Sequence, residues 1–223
     1  MLKSQDQSKD QTYFLNQVKN GSLENVIFPI GNLTKKEVRE IADKYNLNAV
    51  SKKKDSTGIC FIGERNFKAF LKTYLPSKKG LIVDKNNNIL GEHDGIMYYT
   101  LGQRKGLNIG GKKGYDQNRW YVIDKDVKEN KLIVSNGEEE ELFSSQLFTS
   151  EINFIGDPVK EDIFDCYAKT RYRQPDQKCK LLKTDNGYLV KFEEKQRAVT
   201  PGQYVVIYKD GRCYGGGVIE SYK

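Results

Sequence analysis

The sequence predicts an α+β protein in which helices come early in the chain and antiparallel strands come late. Apolar residues recur with helical spacing before residue 76, whereas after residue 119 short apolar runs alternate with turn signals. Two of these turns are 185–187, Asp-Asn-Gly, and 209–211, Lys-Asp-Gly. Many short strands at even spacing indicate a small antiparallel β-barrel in the last part of the chain.

The composition is that of a folded chain without a membrane span. Of the 223 residues 37% are hydrophobic and 30% charged, and they include 14 Tyr and 10 Phe, so the chain can bury a sizeable core. No run of about 18 apolar residues and no signal-peptide h-region occurs. We therefore expect a cytoplasmic protein with no membrane partner.

Positive charge is concentrated in the first part of the chain. The formal net charge is +7, and residues 1–134 contain 24 Lys and Arg against 15 Asp and Glu, whereas residues 135–223 contain 13 against 15. A basic first part suggests an acidic partner such as nucleic acid. Lysines scattered over solvated faces would give a similar total, so charge alone does not decide.

Three helices are predicted from their caps and apolar spacing. Asp10 is the expected cap of a helix that carries Phe14, and a second helix starts at Thr34, where Glu37 completes a capping box. A third follows a cap at Asn66 and ends before a proline at position 76. Its apolar stripe, expected in the core, consists of Phe67, Phe70, Leu71 and Tyr74.

The strands are predicted from short apolar runs between turn signals. Residues 81–83 and 89–90 are the expected arms of a hairpin. The later strands are expected at residues 120–123, 132–134, 166–172, 180–182, 188–192, 204–208 and 213–219.

The cysteines and the single histidine do not form a metal-binding pattern. Cys60, Cys166, Cys179 and Cys213 lie far apart without a C-x-x-C pair, and His93 is alone, so no metal site is expected. A chain of this size in a reducing compartment does not need disulfides. We interpret the three later cysteines as packing residues and His93 as structural.

Cys60 lies in the run 55–65, DSTGICFIGER, between three lysines at 52–54 and Arg65. Positive charge near a thiol lowers its pKa and favours the nucleophilic thiolate. A cysteine within Ile-Cys-Phe-Ile also fits a small hydrophobe in a buried strand. The local pattern leaves both interpretations open.

Two further runs mix aromatic residues with cations. Residues 98–106, YYTLGQRKG, suit a surface that stacks unpaired bases and neutralises phosphates, and they fit a β-turn with buried tyrosines equally well. The second run is 171–173, Arg-Tyr-Arg. If it forms a strand, Arg171 and Arg173 lie on one face and Tyr172 on the other. An alternating polar face of this kind also fits a plain exposed strand.

Four long motifs occur in one order along the chain. They are DSTGICFIGER at 55–65, HDGIMYYTLGQRKGLNIGG at 93–111, RYRQPD at 171–176 and AVTPGQYVVIY at 198–208. From about residue 9 to 219 the chain resembles the bacterial tRNA-specific 2-thiouridylase family, and four ordered motifs are more specific than any short pattern.

The resemblance implies three domains. Residues 1–58 would be the helical remnant of an N-terminal α/β adenine-nucleotide-binding catalytic domain, 59–134 a small central α+β tRNA-binding domain, and 135–223 a C-terminal antiparallel β-barrel. The family's pyrophosphate loop, Ser-Gly-Gly-x-Asp-Ser, does not occur within the 223 residues. We therefore expect this chain to be the C-terminal portion of such a protein.

The resemblance also implies an ATP-dependent tRNA-uridine 2-sulfurtransferase. In the family, ATP and Mg²⁺ adenylate the C2 oxygen of the wobble uridine in the tRNAs for Lys, Glu and Gln. A cysteine persulfide, supplied by a sulfur donor protein, then attacks C2 and releases AMP, and a second, upstream cysteine resolves it. Cys60 matches the persulfide position.

Six residues match the family's tRNA contacts. They lie at three places in the chain: Lys9, Asp10 and Gln11; Arg171 and Tyr172; and Gln203. The competing hypothesis is a non-catalytic RNA-binding module that resembles a translation-factor barrel. The missing phosphate loop favours that module for this chain alone, whereas the complete DSTGICFIGER run favours the enzyme.

Overall fold

The computed structural model describes residues 1–52, 67–75, 77–137 and 140–223. The regular secondary structure of these residues is mostly β-sheet, with few helices. The helices are α1 (Lys35–Lys44), α2 (Asn48–Ser51) and α3 (Phe67–Tyr74), with 3-10 turns at Thr12–Leu15, Ile96–Tyr98 and Glu140–Leu142. Within the described ranges, no helix combines the length and the apolar character needed to cross a bilayer.

Twelve strands are present in the described residues. They are β1 (Gly80–Val83), β2 (Ile89–His93), β3 (Trp120–Asp126), β4 (Lys131–Asn136), β5 (Phe143–Thr149), β6 (Asn153–Phe154), β7 (Ile163–Lys169), β8 (Gln177–Thr184), β9 (Gly187–Arg197), β10 (Tyr204–Lys209), β11 (Arg212–Val218) and β12 (Ser221–Tyr222). A strand is present at every predicted place, although the one expected at 166–172 ends at Lys169. β5, β6 and β12 were not predicted.

The capping box predicted for the second helix is confirmed. The Thr34 side chain accepts the Glu37 amide, and the Glu37 carboxylate accepts the Thr34 amide at 2.6 Å. The latter bond holds the pKa of Glu37 below its usual range. Thr34 and Glu37 thus cap the N-terminus of α1 with their side chains.

The helix predicted to start at Asp10 is wrong, because the chain makes only the 3-10 turn Thr12–Leu15 there. The Asp10 carboxylate accepts the amide of Ser4 and the hydroxyl of Thr12, so it does not cap a helix. Beyond the turn, the side chain of Asn153 donates to the carbonyls of Asn16 and Val18. These carbonyls are therefore bonded to another element of the fold instead of to a helix.

The third predicted helix is present as α3, but its apolar stripe is not fully buried. Tyr74 is 68% exposed, and its ring lies 5.1 Å from that of Phe70. The predicted cap and stop, Asn66 and the proline at 76, lie outside the described residues.

The first compact unit comprises Met1–Asp55, Ser145–Gln196 and Thr200–Lys223. Its sheet has eight strands in the order β12-β5-β9-β8-β7-β10-β11-β6, and the pairs from β9 to β11 are antiparallel. A buried cluster, Ile155, Val206, Tyr208 and Cys213, packs against Met1, Tyr13, Leu23 and Tyr204. The N-terminal residues thus share a core with the late strands.

The second compact unit comprises Ser56–Ser144 and Arg197–Val199. Its four strands have the order β2-β1-β4-β3, in which β1 is antiparallel to β2 and parallel to β4. The hairpin predicted at 81–90 is therefore confirmed. Asp84 organises the hairpin loop by accepting the amides of Asn86 and Asn88, both at 2.8 Å. The three-domain division of the sequence stays a prediction.

The three later cysteines are buried and free, as expected of packing residues. Cys166 on β7 lies opposite Cys179 on β8, with the two sulfurs 3.7 Å apart. Burial raises the pKa of Cys213 to about 11. Because all three side chains are buried, their thiols are poorly placed to act as nucleophiles.

His93 is a structural residue, since it is 1% exposed and bonded through both ring nitrogens. The Gly95 amide donates to Nδ1 at 3.1 Å, so Nε2 carries the proton and donates to the carbonyl of Asn130 at 3.1 Å. Burial lowers the pKa of His93, against the bond to Asn130, which raises it. The neutral imidazole is thus the form that the fold accommodates.

We predict that protonation of His93 destabilises the fold in mild acid. Below the unfolded pKa of about 6.5 the unfolded chain binds a proton that the folded chain rejects, so the free energy of unfolding falls as the pH falls toward the lowered folded pKa. His93→Gln should remove this part of the slope. Urea unfolding of both proteins between about pH 7 and 5 measures it, and equal slopes would contradict the assignment.

Candidate nucleic-acid interface

Tyr13 joins the N-terminal segment to one end of the eight-stranded sheet. Its hydroxyl lies 3.2 Å from the carbonyl of Thr170, just after β7, and 3.0 Å from the carbonyl of Tyr204, at the start of β10. Burial raises the pKa of Tyr13 to about 12, while the nearby charge of Arg171 opposes the rise. The hydroxyl therefore stays protonated, and its single proton is shared between the two carbonyls.

A run of glycines on β11, residues 215–217, lets the N-terminal segment approach closely. A Cβ on Gly216 would lie 2.5 Å from the carbonyl oxygen of Val205 and 2.8 Å from Oδ1 of Asn16. The side chain of Gln17 also donates to the Gly216 carbonyl at 2.8 Å. Residues 13–17 are thus held against β11 at a distance that a larger side chain would prevent.

The residues predicted to alternate along a strand lie instead in a turn. β7 ends at Lys169, and Gln174 closes the following turn by accepting the amide and hydroxyl of Thr170 at 2.8 and 3.0 Å. The Gln174 amide in turn donates to the carbonyl of Arg171. The expectation that Arg171 and Arg173 share a strand face is therefore wrong, because side-chain bonds replace the ladder here.

Tyr172 lies at the centre of an aromatic and cationic cluster. Nε2 of Gln11 donates to the Tyr172 hydroxyl at 2.5 Å. The Phe14 ring lies 4.5 Å from the Tyr172 ring, and the Arg173 guanidinium lies 5.9 Å from that ring. We name this cluster the junction patch and define it as Gln11, Tyr13, Phe14, Arg171, Tyr172 and Arg173.

The structure thus brings together two groups of residues that lie about 160 positions apart, Gln11 and Tyr172 being separated by 161. Gln203 lies in the turn before β10, where its amide donates to the carbonyl of Thr200. Val206 pairs with Lys169 in the β7–β10 ladder, so the start of β10 lies beside the end of β7. Gln203 therefore belongs to the same end of the sheet.

Lys9 and Asp10 differ in their surroundings. Lys9 is exposed on a turn that its amide closes to the carbonyl of Asp6. Asp10 is only 5% exposed, and both carboxylate oxygens accept hydrogen bonds within the fold, from Ser4 and Thr12. Lys9 thus faces solvent, whereas Asp10 organises the backbone that presents Lys9 and Gln11.

Behind the junction patch, two lysines share one carboxylate. Lys3 and Lys169 both form ion pairs with Asp176, and both ammonium groups lie near the Tyr208 ring, at 4.2 and 5.4 Å. Burial raises the pKa of Tyr208. Asp176, the last residue of RYRQPD, therefore anchors the turn to the N-terminal segment.

The predicted catalytic residue, Cys60, lies outside the described residues, as do the lysines at 53 and 54 and Arg65. Lys52 is described and exposed. The run 98–106 forms a turn in which the Thr100 amide donates to Oε1 of Gln103, while Tyr99 is buried and Arg104 is exposed.

The part of the chain that the structure describes lacks a cluster of metal-ligating side chains. It holds no group of three or more His, Cys, Asp and Glu side chains that could ligate a metal ion. The N-terminus of α1 carries the Glu37 carboxylate, which would repel a phosphate. The N-terminus of α1 is therefore unsuited to binding the phosphates of ATP.

Sequence reasoning missed Phe14 and Tyr13 as parts of this surface. The apolar spacing placed Phe14 on the face of a helix that does not form. For Arg173 the sequence predicts only a position on a strand. No local signal pairs Gln11 with Tyr172, because their contact depends on the fold.

Three family models match the chain in order. Residues 1–64 match the tRNA methyl transferase HUP domain, 68–136 the tRNA methyl transferase PRC-barrel domain, and 144–219 the aminomethyltransferase beta-barrel domain. Together the three matches cover most of the chain.

Curated relatives match over the whole chain. Proteins named tRNA-specific 2-thiouridylase MnmA are 53% identical in Hahella chejuensis over 99% of this chain, 50% in Streptococcus thermophilus over 100%, and 50% in Acinetobacter baumannii over 98%. The matches span 61%, 60% and 59% of those relatives. The chain is thus similar to tRNA-specific 2-thiouridylases along its whole length, and it spans about three-fifths of the length of these relatives.

Proposed function

We propose that this chain provides a tRNA-binding surface and the sulfur-carrying cysteine of a tRNA 2-thiouridylase. Such an enzyme is a sulfurtransferase. The observation that supports the surface best is the hydrogen bond from Gln11 to Tyr172, which unites two predicted tRNA-binding segments in one patch. The family models are described as methyl transferase domains. The proposal follows the relatives' name because those proteins match the chain from end to end at about 50% identity.

The residues of this surface bind RNA and do not take part in the sulfur-transfer reaction. Arg171 and Lys9 neutralise phosphates, since Arg and Lys supply most sequence-independent affinity for nucleic acid. Gln11, Tyr172 and Gln203 contact bases and sugars of unpaired nucleotides, which are the parts of RNA that side chains can reach. Asp10 contributes by holding the backbone of its neighbours.

Cys60 is the proposed persulfide carrier. The terminal sulfur of a persulfide must be anionic to attack the uracil C2, and the cations at 52–54 and 65 favour an anion. Cys166, Cys179 and Cys213 are buried packing residues, so none of them competes for this role.

The remaining parts of the proposal come from the family. They are the wobble uridine of the tRNAs for Lys, Glu and Gln as target, a separate persulfide donor protein, ATP with Mg²⁺ for activation, and a cytoplasmic location. We assign no ATP or Mg²⁺ contact to a described residue. We further propose that residues 1–58, 59–134 and 135–223 are three domains, of which the first packs against the third, and that the last is a closed β-barrel.

Replacement of Arg171 tests whether this surface binds tRNA. We expect Arg171→Ala to weaken tRNA binding. The plot of log affinity against log salt concentration should also become less steep by about one unit, because fewer counterions are released when one phosphate contact is lost. Binding titrations of the chain at several salt concentrations measure both quantities.

Lys191→Ala is the matched control, because it removes one positive charge from the middle of the β8–β9 ladder, where Lys191 is exposed. It should leave the affinity close to that of the unaltered chain. If Arg171→Ala and Lys191→Ala had the same affinity and salt slope, Arg171 would not be part of the interface.

Sulfur loading tests Cys60. After treatment with inorganic polysulfide, we expect one additional sulfur atom on the peptide that contains Cys60, because the other three cysteines are shielded by the fold. Peptide mass mapping of the unaltered chain and of Cys60→Ser locates the sulfur. Equal loading of the Cys166, Cys179 or Cys213 peptides would contradict the assignment.

A further inference from the structure

Phe14 is an exposed aromatic residue in a defined setting. Its side chain is 58% exposed although the turn that carries it, Thr12–Leu15, is fixed to the sheet through Tyr13. Single exposed apolar residues are common and need no explanation by themselves. The setting of Phe14 is therefore more informative than its exposure.

Two neighbouring rings hold the Phe14 ring in place. Tyr13 contacts it edge-to-face, with centroids 5.6 Å apart and planes at 86°, and Tyr172 contacts it at 4.5 Å and 43°. Tyr172 is itself held by the hydrogen bond from Gln11. A ring fixed in this way loses little conformational entropy when a ligand stacks on it.

The surroundings of Phe14 suit a nucleotide in particular. The Arg173 guanidinium lies 5.9 Å from the Tyr172 ring, and Arg171 precedes Tyr172 in the same turn. Proteins that bind single-stranded nucleic acid combine cations along the backbone with aromatic rings on which bases stack. Here both kinds of group are present within one turn and its partner segment.

We propose that Phe14 is a stacking platform for one unpaired base of the bound tRNA, beside the predicted contacts of Gln11 and Tyr172. The inference rests on the proposed function and adds a residue that the motifs did not indicate. Phe14 offers a π-face and no hydrogen-bonding group, so it adds affinity with little preference among bases.

The proposal has a signature that separates stacking from charge. Phe14→Ala should weaken tRNA binding about tenfold, because one base–aromatic stack is lost. The salt slope should not change, because no phosphate contact is lost. Phe14→Leu retains apolar volume without a π-face and should bind as weakly as Phe14→Ala, whereas Phe14→Trp should retain affinity.

Phe28→Ala is the matched control. Phe28 has the same side chain and is 53% exposed in the same N-terminal part of the chain, and it forms no ring contact with a described residue. It should bind tRNA like the unaltered chain. Thermal unfolding of every variant shows whether a loss of binding follows from a loss of folding.

The outcomes distinguish this inference from the proposed function. Suppose that Arg171→Ala weakens binding, whereas Phe14→Ala and Phe14→Leu are folded and bind tRNA normally. Phe14 is then not a stacking residue, but the proposed tRNA-binding surface is retained. If a folded Phe14→Ala loses affinity together with part of its salt slope, the effect is not stacking, and the inference is wrong. If the unaltered chain does not bind tRNA, the proposed function fails as well.

Discussion

The hydroxyl of Tyr13 is the interaction on which the described surface depends. It lies within hydrogen-bonding distance of two carbonyls, of Thr170 and Tyr204, that belong to different strand ends. Because a buried hydroxyl without a partner is costly, this arrangement favours one position of the N-terminal segment. That position sets Gln11 against Tyr172 and Phe14 beside it. The junction patch is thus a consequence of how the first residues pack on the sheet.

The glycines at 215–217 show that this packing is a property of the whole unit. A Cβ at Gly217 would lie 2.1 Å from the carbonyl of Glu151, and one at Gly216 would meet Asn16. The buried Asp10 and the shared carboxylate of Asp176 fix the same segment through polar contacts. A rigid framework of this kind positions binding residues on turns, where side chains remain accessible.

The sequence predicts much of the fold. Strands with clear turn signals and the Thr34–Glu37 capping box are predictable because they depend on residues that are close in sequence. It predicts less where distant residues compete for the same groups. The Asp10 helix fails because Ser4 and Thr12 take the carboxylate, and the strand through Tyr172 fails because Gln174 closes a turn. Motif resemblance indicates Gln11, Tyr172 and Gln203 separately. Their common location follows only from long-range pairing, of which the β7–β10 register is the clearest example.

The central claim is that one tRNA-binding surface is assembled from three separate stretches, residues 9–16, 170–174 and 200–204. Amide hydrogen exchange of the chain with and without tRNA tests it most directly, because exchange reports local protection along the whole backbone. The account predicts that all three stretches exchange more slowly when tRNA is present, while the β8–β9 hairpin around residues 184–187 is unaffected. Protection that is absent from all three stretches, or confined to one of them, would contradict a single surface.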